Sequence, residues 1–334
     1  MAYSYRESLA AHAALKRRAE LSSRHIETLR NTLAPALDKQ TGLTPEARSR
    51  LCIVAAGSLG RHEAGIRSDL DPFLLYDDET AGSSAKALGK LEEYEVFAAL
   101  IEANRDAKFP RFDGDGRYLK IHGLSDLKRS AGSPRDDTEN TFTARMLFVL
   151  ESQNIYNSGL YEQLMASIVG HYFRDSTGKK NFRPLFLLND ILRFWRTLCL
   201  NYEEYRKDPN RPWLKKNLNL KYARRLTIFS TVLGLLSGKV ADSTAFGELA
   251  KLTPLTRLAH CLDLVDSRAK FQELFEEALD DYEAFLSAKE TLLDGSGAPE
   301  PALFADGASR FETFFFKALT CPGIDQSLFR YVIS

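Results

Sequence analysis

Four cysteines, three methionines and two tryptophans in 334 residues make the chain poor in sulfur and in the largest ring. Cys52, Cys199, Cys261 and Cys321 stand far apart with no paired spacing. That excludes a disulfide framework and a cysteine zinc site, and fits a reducing compartment. Net charge is missing as well: 45 Lys and Arg balance 45 Asp and Glu. Such a chain has no global field to draw in polyanions, so duplex DNA is not an expected partner and any basic surface is local. No apolar run approaches the ~20 residues of a membrane span. The first twenty residues carry Arg6, Lys16, Arg17 and Arg18 without a continuous apolar stretch, so no secretory leader is expected. These absences predict a cytoplasmic protein with no membrane partner. Internal repeats and low-complexity tracts are also lacking.

The apolar content is ample. Hydrophobic residues make up 44% of the chain and charged residues 27%, which is enough to bury a sizeable core and argues against wholesale disorder. Residues 4–38 have helical periodicity, with Leu9, Leu15, Leu21, Ile26 and Leu29 recurring among charged positions. Leu51–Ala56 (LCIVAA) is a short continuous apolar run that reads as a buried strand. A second strand is expected over 70–76 (LDPFLLY), a helix over 79–104 and a third strand over 118–122 (YLKIH). From about residue 136 the pattern is almost wholly helical, with a loop at 294–301. The expected fold class is α+β: a small mixed sheet flanked by helices, then a large all-helical domain. The expected division is 1–45 for N-terminal helices packing on the core, 46–135 for the core and 136–334 for the helical domain.

The segment with chemical content is AGSLGRHEAGIRSDLDPFLLYDD, residues 56–78. Gly57-Ser58 closes the first strand, and Asp69 and Asp71 stand at the head of the second. Strand alternation puts these two acids on one face, ~6–7 Å apart along the backbone. Two such charges are costly together unless a cation sits between them. Magnesium suits them, since it prefers oxygen ligands and keeps positions for water and phosphate. A Gly-Ser turn offers backbone N–H groups and a hydroxyl to phosphate oxygens.

Gly-Ser, a gap of about ten residues, then Asp-x-Asp resembles the signature of the DNA polymerase β-like nucleotidyltransferases. Gly60-Arg61-x-Glu63 and Ser68 inside the gap look like the branch that contains the PII-modifying uridylyltransferase and its adenylyltransferase relatives. Glu139–Ser152 (ENTFTARMLFVLES) is similar to the helix after the catalytic sheet in that branch. The resemblance covers about residues 50–152 and includes no His-Asp hydrolase motif. It implies transfer of an NMP from an NTP to an acceptor hydroxyl, with a protein side chain favoured over RNA or a small molecule. It also implies two magnesium ions, with Asp69 and Asp71 as catalytic metal ligands and Gly57, Ser58, Arg61 and Ser68 around the nucleotide. A helical domain in this superfamily often supplies a cation to the triphosphate, and Lys221 or Arg225 is placed to do so.

Each assignment has a plainer counterpart. Arg61 meets phosphate or simply pairs with Glu63. Ser68 meets a ligand or braces the loop. The third carboxylate usual in the superfamily is missing from YLKIH. Asp113 is the candidate for it, with Asp115 beside it, although DGDG is equally a turn signal. Pro72 directly after Asp71 predicts that the second strand is locally an edge or bulged. Lys221, Arg224 and Arg225 also read as a solvated basic face. Asp77 and Asp78 read as an exposed strand end. The rival functions are a degenerate nucleotide-binding sensor and a helical protein-interaction module.

Overall fold

The computed structural model describes residues 3–79, 88–112, 116, 119–179, 182–207, 213–240, 242–266, 269–294 and 301–333. The chain divides into two compact units. One is Arg18–Arg174; the other combines Met1–Arg17 with Asp175–Ser334.

The first unit is built on a four-stranded mixed sheet in the order β3-β2-β1-β4. Strands β1 (Leu51–Ala56) and β2 (Asp71–Tyr76) are antiparallel, with Ala56 opposite Asp71 and Leu51 opposite Tyr76. Strand β3 (Ile121–Gly123) runs parallel to β2, and β4 (Gln153–Tyr156) runs antiparallel to β1. The two central strands have different faces. Leu51, Ile53, Ala55, Leu70, Leu74 and Tyr76 pack with Leu29, Leu33 and Leu37 and with Val96, Ala99 and Leu100. Those partners come from helices α2 (Ala13–Asp38) and α5 (Lys90–Asp106); a short helix α1 (Tyr5–Ala11) precedes α2. Thr44 caps α3 (Pro45–Ser49), which delivers the chain to β1. On the opposite face Phe73 meets Phe148 at 6.4 Å between ring centroids, and Phe148 meets Tyr161 at 5.5 Å. That face is covered by α8 (Thr141–Glu151) and α9 (Ser158–Tyr172).

Strand β4 was not expected from the sequence. QNIY is short and half polar, with no alternation long enough to signal a strand. Because it pairs with β1, the residues up to Arg174 cluster with the sheet, and the division expected at 135/136 falls inside this unit. Helices α6 (Leu124–Arg129) and α7 (Arg135–Thr138) fill the span before α8. They are fixed by a buried ion pair in which Arg145 donates to Asp136 at 2.6 and 2.9 Å, to the Tyr172 hydroxyl at 2.7 Å and to the Leu127 carbonyl at 2.8 Å.

The second unit is helical, as expected. Helices α10 (Leu185–Arg206), α11 (Trp213–Asn219) and α12 (Arg225–Leu236) are followed by α13 (Ser243–Lys251), α14 (Pro254–Val265), α15 (Gln272–Asp294), α16 (Pro301–Leu319) and α17 (Gln326–Ile333). Helix α17 was not anticipated. Helix α16 begins at Pro301, where the loop expected over 294–301 ends. A π-helical turn, Leu220–Arg224, joins α11 to α12. Within it Tyr222 stacks on Phe285 with centroids 4.8 Å apart. Arg257 is fully buried and closes the end of α13, donating to the carbonyls of Leu249, Ala250 and Leu252 and to the Thr231 hydroxyl. No helix of the described residues is long and apolar enough to cross a membrane.

Candidate functional site

The β1–β2 register brings the Gly-Ser turn and the acidic pair to one end of the sheet. Gly57 has φ +63°, which disfavours any side chain, and a Cβ there would overlap the Asp71 Oδ2. Asp71 therefore lies directly against the glycine that opens the turn, and both features of Gly57 explain the residue type. Gly57–Gly60 forms a single helical turn, α4, in which Ser58 is buried.

The strand starts at Asp71, so Asp69 belongs to the loop two residues ahead of it. Leu70, between the two acids, is buried in the α2/α5 core with Leu74 and Tyr76. Asp71 is exposed and Asp69 half-exposed. Pro72 lies opposite Ala55 of β1, whereas the described pairing of β3 with β2 begins only at Leu74. The proline thus occupies a stretch of β2 that has a partner on one side, as its missing N–H requires.

The loop between the turn and the acids is held from beneath. Arg61 donates to Glu63 at 2.8 Å and to Glu151, at the end of α8, also at 2.8 Å. The arginine side chain is 3% exposed and both carboxylates 1%. Of the two expected partners of Arg61, Glu63 is the one present, joined by Glu151, as a buried guanidinium requires its charge and donors to be matched inside the protein. Gly60 permits this approach, since a Cβ there would overlap the Glu151 carbonyl oxygen. The Ala64 N–H donates to the Ser22 hydroxyl of α2 at 2.9 Å. Ser68 is buried and its hydroxyl accepts from the Gly65 N–H at 3.0 Å, which braces the loop. His62 takes φ +58° in this loop.

Asp77 is buried rather than exposed and accepts from the Glu79 N–H. Asp78 holds the start of α6 through the Ser125 N–H at 2.8 Å and hydroxyl at 2.5 Å. Asp113 and Asp115 lie outside the described residues. On β3, His122 is buried and stacked on Phe73 with centroids 4.8 Å apart. Burial, with Lys120 nearby, pushes its imidazole down to about 4. Lys120 is exposed, its Nζ 3.5 Å from the Glu139 carbonyl. Among the described residues no group of three or more His, Cys, Asp or Glu is placed to hold a metal ion. Two aspartates at a strand end are a donor set that magnesium accepts when water and phosphate complete its shell.

The helical unit supplies the remaining candidates. Arg225 pairs with Glu312 at 2.9 Å and lies over Trp195 with 5.8 Å to the ring centroid, so its guanidinium is already engaged. Lys221 sits half-buried in the π-helical turn. Trp195 packs edge-on against Phe229 at 5.3 Å.

Sequence reasoning did not find Glu151, the second carboxylate on Arg61, because its ninety-residue separation leaves no local signal. A buried Arg61 flanked by one acid was the available hint that a second acid was needed.

Residues 3–104 match the family described as "Putative nucleotidyltransferase DUF294". The match takes in α1 through β2 and most of α5, including the Gly57-Ser58 turn and both aspartates. It is consistent with the DNA polymerase β-like nucleotidyltransferase superfamily. No curated protein matches the chain.

Proposed function

With a nucleotidyltransferase match over residues 3–104 as premise, we propose that the protein transfers the NMP of an NTP to an acceptor hydroxyl and releases pyrophosphate. The observation that carries this reading is the seating of the Asp71 carboxylate on Gly57, the glycine that opens a serine-bearing turn. Asp69 and Asp71 would hold magnesium, two ions in the fully loaded state. When bound, the metal polarises the α-phosphoryl group, favours deprotonation of the attacking hydroxyl and offsets charge on the leaving pyrophosphate. The Ser58 hydroxyl and the N–H groups of its turn receive phosphate oxygens. In the reaction the acceptor oxygen bonds to the α-phosphorus, the bond from that phosphorus to the β-phosphate bridge breaks, and the hydroxyl proton goes to solvent. The Arg61–Glu63–Glu151 brace keeps the turn and the acids in register. Asp113 is kept as the third metal ligand. The acceptor is a protein hydroxyl, by analogy with the PII-modifying branch.

A second reading, nucleotide binding without turnover, is favoured by one observation: the described part of the third-strand region carries Lys120 and His122 and no acid.

Incubation with α-labelled NTPs, magnesium and a total protein extract separates the two. A transferase labels an acceptor and releases pyrophosphate; a sensor binds the NTP and releases none. Calorimetry with and without magnesium checks the metal. Tight NTP binding is expected only with the ion, and equal affinity in EDTA refutes the site as described.

A further inference from the structure

Helix α5 carries an apolar stripe on its outer side. Leu91 is 79% exposed, Tyr94 57% and Ile101 51%, with exposed Ala98 between them. The spacing 91-94-98-101 is the alternating three-and-four step of a helix–helix seam. Helix α5 does not need these residues for its own packing. Val96, Ala99, Leu100 and Ala103 on its inner side are buried against the sheet. Scattered exposed apolar residues are ordinary, but three large ones in a row on one helix mark an interaction face.

The charges around the stripe select its partner. The first turns hold one cation, Lys90, against Glu92, Glu93 and Glu95; the second half and its sequel hold Arg105, Lys108 and Arg111 against Glu102 and Asp106. One end is thus net −2 and the other net +1. Acids at one end do not suit an anionic lipid surface or nucleic acid. A second α5 laid antiparallel is complementary, since each acidic end meets a basic end; a parallel copy sets like against like. The antiparallel pair also seats Leu91 of one copy near Ile101 of the other, and the small Ala98 leaves room for the Tyr94 ring.

From this we infer that α5 is the self-association surface of the protein, forming a twofold antiparallel helix pair between two copies. A single pair of helices is a small contact, so a weak, concentration-dependent equilibrium is expected.

Sedimentation equilibrium over about 1–100 µM full-length protein tests this. The expected result is a shift from one to two chain masses across the series. The double variant Leu91→Glu with Ile101→Glu alters only exposed side chains. It is expected to stay at one mass with an unchanged circular dichroism spectrum. A mixture of Tyr94→Cys and Ala98→Cys chains is expected to form the mixed inter-chain disulfide on mild oxidation, because these positions face each other in the antiparallel pair, whereas Leu91→Cys chains alone are not, because Leu91 lies far from its own counterpart. The inference is overturned by a wild type of one mass throughout, by a dimer that survives the double variant, or by Leu91→Cys chains that cross-link to one another in place of the mixed 94–98 disulfide. Nucleotide binding is not read in any arm, so failure here leaves the transferase proposal standing.

Discussion

The two halves of the loop between β1 and β2 treat charge in opposite ways. Its first half puts Arg61 and Glu63 into the protein interior and closes them with Glu151, so each carboxylate there has the guanidinium as its partner. Its second half brings Asp69 and Asp71 out at the strand end, where two like charges stand two residues apart. A buried ion pair broken on one side costs more than it contributes when whole, so the first half is rigid by necessity. The second half keeps mutually repelling acids, a cost that folding does not require. The difference teaches which charges serve the scaffold and which are available for a ligand.

The contrast breaks if substitutions in the two halves have the same consequences. The largest effect is expected from Asp69→Asn with Asp71→Asn: loss of NMP transfer by roughly a thousandfold or more, about 4 kcal/mol in the barrier. Thermal melting of that variant should match or slightly exceed wild type, because repulsion is relieved. Full activity in the labelled-NTP assay rules out the catalytic reading. Arg61→Ala is the counterpart. It strands two buried carboxylates and is expected to lower unfolding free energy by about 3–5 kcal/mol in urea titration. An Arg61→Ala protein of normal stability that loses only nucleotide affinity would return Arg61 to the phosphate.

The sheet face beside the acids gives a pH test. His122 has its pKa lowered from 6.5 to about 4 by burial, so the fold favours the neutral ring. The unfolded chain binds this proton below pH 6.5 and the folded chain resists it until about pH 4. Stability therefore falls as pH drops through that window, by up to about 3 kcal/mol, and is fully present above it. Replacing His122 with Phe should flatten the difference in unfolding free energy between pH 7.5 and pH 4.5. An unchanged slope assigns the pH dependence to other groups. Gly57→Ala joins the two halves: a positive φ and overlap with Asp71 predict about 1–3 kcal/mol of destabilisation together with loss of transfer. Ser58→Ala is the mildest, about tenfold in NTP affinity with melting unchanged, measured by calorimetry.

The legible part of the fold was the part written in short range. The run Leu51–Ala56 has no polar break and is β1 to the residue. The Gly57-Ser58 to Asp69-x-Asp71 spacing fixed both ends of the hairpin, because a strand pair and one turn leave little freedom between them. Strand β4 escaped because four residues with Gln153 and Asn154 in them carry no periodic signal, and only pairing with β1 makes them a strand. The role of Arg61 was legible in type but not in outcome: its neighbour Glu63 was visible, while Glu151 arrives through packing of α8 on the sheet. Arg225 follows the same rule, with Glu312 reaching it from α16.

The backbone of Gly60 touching the carbonyl of residue 151 has a consequence for how the protein is made. The segment that carries the family match ends at residue 104, before α8, β3 and β4 exist. A nascent chain at that point has a hairpin with both outer edges bare and an arginine one acid short. Glu151, the second carboxylate on Arg61, joins it only when a further forty-seven residues have been made, so the brace beneath the loop is completed from outside the matched segment.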